Sequence, residues 1–104
     1  MSFTVRLTPE AELDLRQLFD FVLQRELERG GDLGLADRAL GAIADGFASL
    51  GRSPFSCRKA AQSTFQRELI IPFGHSGYVA LFEIVDASTV VIAAVRHQFE
   101  DDYH

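Results

Sequence analysis

Three extended apolar runs follow one another toward the end of the chain with only short loops between them: QRELIIPF (66–73), GYVALFEIVD (77–86) and TVVIAAVRH (89–97). The connections Gly74-His75-Ser76-Gly77 and Asp86-Ala87-Ser88 are short enough to close antiparallel hairpins, so the runs predict three neighbouring strands. A sheet covered on one side alternates apolar with polar residues. Here Tyr78, Ala80, Phe82 and Ile84 point one way, Val79, Leu81 and Val85 the other, and Val90 to Val95 is apolar throughout. Both faces therefore call for cover, since each large apolar side chain left in water forgoes about 1.5–3 kcal/mol of burial free energy.

The first half of the chain supplies a roof for one face. SFTVRL alternates Phe3, Val5 and Leu7 with polar neighbours and predicts a short strand. Thr8 is a good N-cap, Pro9 suits the first helical position, and Glu10 and Glu12 favour the positive end of the helix dipole. Ala11, Leu15, Leu18 and Val22, widened by Phe19, form the apolar stripe of this helix, which Gly30-Gly31 ends. A second helix is expected from Asp32 to about Gly51, with Ala36, Leu40, Ile43, Phe47 and Leu50 as its stripe. Gly41 and Gly46 each lower helix propensity by about 1 kcal/mol, which close packing at those positions would offset. Residues 52–64 read as a mobile loop. The fold class expected is α+β, in the order β-α-α-β-β-β: one antiparallel sheet with a helical hairpin packed on one face, forming a single domain over 1–104. The second face would then be covered by the 52–64 loop, by self-association, or by a partner polypeptide laid across the sheet.

Charge narrows the partners. The net charge is -5, and Lys59 is the only lysine beside nine arginines, so binding to free nucleic acid is not expected. Cys57 is a lone cysteine and makes no internal disulfide. No run approaches the roughly 18 apolar residues of a membrane span, and MSFTVRLTPE lacks the pattern of a secretion signal. A soluble cytoplasmic protein without membrane contact, metal or other cofactor is expected.

Several stretches together resemble the ParE branch of the RelE/ParE toxins of type II toxin–antitoxin modules. They are VRLTPEAELDLRQLFDFV, Leu50 followed by Pro54, Arg67 at the start of a strand, GYVALFEIVD, and the ending VVIAAVRHQFEDDYH. The resemblance implies a toxin held inactive by a cognate antitoxin whose C-terminal segment folds on binding, with larger toxin–antitoxin assemblies compatible with it. It also implies DNA gyrase as the candidate target, whereas the RelE branch cleaves messenger RNA on the ribosome. Fold alone does not choose between these modes.

The residues offer material for each. As a protein-binding toxin, Arg58, Lys59, Arg67, Arg96 and His97 with the acidic tail would contact the target, and Leu13, Phe19, Phe21, Phe82 and Ile84 the antitoxin. As a nuclease, Arg67 and Arg96 would neutralise the phosphate, His97 or His75 would exchange protons, and Tyr103 would stack on a base or donate a proton. Glu100, Asp101 and Asp102 place negative charge where an RNA backbone would lie, and Phe99 stands where related sequences often carry a basic residue, which favours the binding toxin. Plainer roles stand beside these: Arg67 and Arg96 as sheet-edge charges paired with Glu68 or Glu83, His97 as a structural hydrogen bonder, His75 as a solvated turn residue. Cys57 sits between Ser56 and Arg58, which would lower its pKa slightly, but it has no defined histidine partner. A toxin-like fold serving only in complex formation is the third reading.

Overall fold

Thr8 joins a four-residue strand, β1 (Thr4–Leu7), to a long helix, α1 (Pro9–Arg29), in the structure, a computed structural model that describes residues 2–60 and 65–98. The Thr8 hydroxyl oxygen accepts the Ala11 amide at 3.1 Å, which satisfies one of the helix's free N–H groups. Gly30 closes α1 in the left-handed region at φ 65°, where a side chain would be strained. Just before that cap, the buried face of the helix ends in a carboxylate.

That carboxylate belongs to Glu26, which is only 1% exposed. It takes Arg29 at 2.8 Å, Arg25 at 3.3 Å and the Asp32 amide at 3.0 Å. Burial alone pushes the carboxyl up; the Asp32 amide and then the two arginines outweigh that and hold it below its usual range. Glu26 thus ties the end of α1 to the turn that follows. Because Asp32 is held in that turn, the second helix, α2 (Leu35–Leu50), starts three residues later than the sequence predicts. The Asp32 Oδ1 accepts the Gly34 amide at 2.9 Å and the other oxygen pairs with Arg38, so the residue makes a turn instead of a helical cap.

The remaining elements are a 3-10 turn (Pro54–Ser56), β2 (Arg58–Lys59), β3 (Gln66–Phe73), β4 (Ser76–Asp86) and β5 (Thr89–His97). The predicted 52–64 loop therefore contains a short turn and an edge strand, and residues 61–64 lie outside those described. The sheet order is β1-β5-β4-β3-β2. The three consecutive strands are antiparallel as expected, but β1 lies parallel to β5, making the sheet mixed. The hairpin loops fix the direction of β3 to β5; no local signal specifies the partner of β1.

Both helices cover the same face, α1 over β5 and α2 over β3. Their stripes meet Leu69 and Ile71 of β3, Tyr78, Ala80, Phe82 and Ile84 of β4, and Val90, Ile92 and Val95 of β5. Gly46 allows the close contact of α2 with β3, since a Cβ there would lie 3.0 Å from Ile71 and 3.3 Å from Leu69.

One irregularity decides what reaches the end of β5. Phe82 pairs with Ile92 but Leu81 pairs with Ala94, leaving Ala93 as an extra residue. Such a bulge shifts the alternation by one. Val95 and His97 consequently continue the helix-side face, and Arg96, paired with Val79, turns to the far face. Helix α1 satisfies the displaced backbone: the Thr8 hydroxyl donates to the Ala93 carbonyl at 3.2 Å, and Asp14 accepts the Val95 amide at 2.9 Å.

Candidate functional site

The helix-side face has a concavity at each end. At the β5 end, a cleft of about 980 Å³ opens between α1 and the β3–β4 turn. Leu18, Phe21 and Val22 form its helical wall and Phe73, Tyr78 and His97 its floor, with Arg25 and Arg29 on the rim. The His97 Nε2 lies 3.0 Å from the Ser76 hydroxyl, and its ring meets Tyr78 edge-on at 5.7 Å. Burial pushes the Tyr78 phenol up, an effect the nearby Arg25 charge only partly offsets. Both rim arginines hold Glu26, so the cationic groups over the cleft already serve the fold.

At the β2 end the concavity is smaller, about 390 Å³, lined by Phe55, Lys59, Phe65, Arg67, Ile84, Asp86 and Ala87. Arg67 crosses it. Its guanidinium donates to the Cys57 carbonyl at 2.7 Å and the Phe55 carbonyl at 3.5 Å, and stacks on the Phe55 ring at 5.4 Å. Phe55 in turn rests edge-on against Phe3 at 6.0 Å yet stays 64% exposed, and Phe65 is 77% exposed. Desolvation pushes the Cys57 thiol up despite the Arg67 charge, the reverse of the lowering predicted from its basic neighbour. Cys57 is therefore a poorer nucleophile than an ordinary cysteine.

The predicted site residues divide accordingly. Lys59 and Arg67 are opposite each other across β2 and β3 on the helix side, while Arg58 points to the far face and binds Glu68 at 2.6 Å. Glu68, one of the two carboxylates considered for Arg67 or Arg96, is thus engaged by Arg58. Arg67 and His97 share the helix side, but two strands and four residues of register separate them, about 16 Å at ordinary sheet spacings. Arg96 leaves β5 on the opposite side yet lines the same cleft as His97. His75 is exposed in the turn beside the cleft, and Tyr103, with the rest of the acidic tail, lies outside the described residues. Of the residues expected to face an antitoxin, Leu13 and Phe21 are 51% and 63% exposed on α1. Phe19 is half-buried. Phe82 requires correction, being wholly buried because its face of β4 is the one the helices cover; Ile84, on the same face, is half-buried and lines the β2-end concavity. Sequence reasoning missed Phe55 and Phe65. Their signal was two aromatics in a polar, Ser- and Pro-containing loop with no apolar periodicity to bury them.

Across residues 5–102 the chain matches the family model of the ParE toxin of type II toxin–antitoxin systems, parDE. The chain belongs to the ParE toxin family. It is 33% identical over 97 residues to Toxin RelE3 of Caulobacter vibrioides, covering 93% of this chain and 96% of that protein. Toxin RelE1 of the same organism is 31% identical over 101 residues, covering 96% and 98%. Among solved structures, the chromosomal ParDE toxin–antitoxin system from P. aeruginosa superposes with a TM-score of 0.73 at 15% identity, over 92% of this chain and 96% of that one, a likeness of fold. The toxin–antitoxin complex RelBE2 from Mycobacterium tuberculosis gives a TM-score of 0.52 at 26% identity, over 93% and 99%. This chain is a ParE/RelE-type toxin of a toxin–antitoxin system. Among the described residues, no helix is long and apolar enough to cross a membrane.

Proposed function

We propose that this toxin acts by binding a protein target, with DNA gyrase the candidate carried by its family, and that a cognate antitoxin silences it. The observation that carries the reading is the division of the cationic and proton-exchanging groups. RNA cleavage needs phosphate-binding cations and a proton-transfer group around one scissile bond. Arg67 lies about 16 Å from His97 at the other end of the sheet instead, and Arg96, which lines the cleft with His97, leaves β5 on the opposite face. Leu13 and Phe21 give α1 an exposed apolar edge beside the large cleft, and Ile70 and Val85 are exposed on the sheet face without helices. These surfaces suit an antitoxin segment that folds as it binds, as the toxin–antitoxin complexes among the structural neighbours suggest.

Purified gyrase tests the target. Added toxin is expected to stall supercoiling and to make cleaved DNA accumulate; supercoiling unchanged at saturating toxin would remove gyrase. The alternative, a ribosome-dependent messenger RNA endonuclease, is favoured by the RelE names of the two relatives. It requires codon-specific cuts in translating extracts that vanish in Arg67→Ala or His97→Ala.

A further inference from the structure

The β2 end of the helix-side face has properties that the cleft lacks. Among its described lining residues, the cations Lys59 and Arg67 outnumber the one carboxylate, Asp86. Glu68 is taken by Arg58 at 2.6 Å on the far face. Asp86, the only carboxylate among the described lining residues, accepts the Ser88 amide at 2.9 Å and the Ser88 hydroxyl at 3.3 Å, which turns its oxygens toward its own turn while leaving it charged. Among the described residues, Lys59 is exposed and makes no ion pair with a carboxylate, and Arg67 bonds to the Cys57 and Phe55 carbonyls and stacks on the face of Phe55. Among the described residues, two cations therefore share this concavity with a single carboxylate, beside two strongly exposed phenylalanines, on a chain whose net charge is -5.

We infer that this patch is the surface that grips the toxin's target, and that the target presents an acidic protein surface with an apolar side chain to insert between Phe55 and Phe65. The inference rests on the reading of the chain as a protein-binding toxin and adds where the binding occurs. The composition is that of an interface centre, where aromatics and arginine dominate the binding energy. Phe55 is already ordered by Phe3 on one side and Arg67 on the other, so binding loses little side-chain entropy there. Neither Lys59 nor Arg67 is ion-paired among the described residues, and Asp86 turns its oxygens to Ser88, so carboxylates of a partner can reach both cations, which gives the surface a preference for negatively charged partners. Nucleic acid fits less well. Affinity for a polyanion grows with the number of phosphates neutralised, and two cations on an acidic molecule neutralise few. One nitrogen of Arg67 is also occupied by the Cys57 and Phe55 carbonyls, which limits bidentate recognition of a phosphate.

The experiment induces the full chain in bacteria without antitoxin, comparing wild type with Lys59→Glu, Phe65→Ser, their combination, and Arg16→Glu as the same charge change on the exposed side of α1. Growth arrest reports target engagement whatever the target is. Survival is expected to rise in each single variant and by at least about 30-fold in the double variant, the effect of losing one interface hot spot. The melting temperature should be unchanged, and Arg16→Glu should arrest growth like wild type. Should the double variant be unstable, Lys59→Glu alone decides, because its side chain supports nothing in the fold. Survival equal to wild type overturns the inference. So does binding of a single-stranded RNA oligomer that Lys59→Glu abolishes, since the patch would then serve nucleic acid. A wild-type chain that never arrests growth overturns both the inference and the reading beneath it. Growth arrest with gyrase supercoiling untouched removes gyrase only, and the variants still decide the surface.

Discussion

At the β5 end of the helix-covered face, the polar groups around the larger cleft are bonded within the fold: Arg25 and Arg29 to Glu26, Asp14 to Val95, His97 to Ser76. At the β2 end, among the described residues, two exposed phenylalanines and two cations not ion-paired to a carboxylate surround a concavity less than half as large, with Asp86 at its side. The comparison teaches that cavity size and recognition chemistry need not coincide. The cleft is large because α1 and the β3–β4 turn stand apart, and its charges serve the helix end. The smaller patch has retained the groups that a partner can satisfy.

The strongest way to break the comparison is to show that the two ends are independent bodies. Phe82 lies wholly buried between them, in one core shared by both helices and four strands. Phe82→Ala is expected to destabilise the protein by about 3–5 kcal/mol, and urea unfolding should remain one transition with a lower midpoint. Separate transitions for the two ends would contradict a common core.

The next test touches the cleft end alone. Glu26 is held below its ordinary value of 4.5, so it is charged in the fold where the unfolded chain begins to bind a proton. The stability it adds is complete above that value and drains away as pH falls through the lower folded value. Glu26→Gln should therefore melt below wild type at pH 7, with the gap closing below about pH 4. A gap that persists in acid would assign the effect to packing. Growth arrest by Glu26→Gln at permissive temperature should survive, because the β2 patch is untouched.

Smaller effects probe the joints. Thr8→Ala removes a helix cap and the bond to the Ala93 bulge, and should cost about 1 kcal/mol in urea unfolding. The two helix glycines should respond differently. A Cβ at Gly41 meets nothing within 4 Å, so Gly41→Ala should stabilise by up to about 1 kcal/mol. At Gly46 the same methyl group meets Ile71 at 3.0 Å, and Gly46→Ala should lose that gain.

Much of this arrangement was readable from the sequence. Thr8-Pro9 placed the first helix, Gly30 ended it, and the runs 66–73 and 89–97 agree with β3 and β5 to the residue. These signals are local, so a single chain displays them. What was hidden depends on distant contacts. The parallel pairing of β1 has no hairpin to announce it, and the Ala93 bulge, which decides that His97 and not Arg96 joins the helix-side face, lies inside an apolar run whose alternation cannot be seen. The candidate site suffered most from this. Lys59 and Arg67 do come together across β2 and β3, whereas Arg58 and Arg96 are turned away, and Phe82 was separated from solvent by helices whose side of the sheet the sequence does not specify.

Amide hydrogen exchange on the toxin alone and with purified gyrase tests the division of labour most directly. The account expects slower exchange on binding at residues 55–59 and 65–67, with the 73–78 turn and His97 unchanged. No protection at either end would remove gyrase as the target, and protection confined to the cleft would contradict the account.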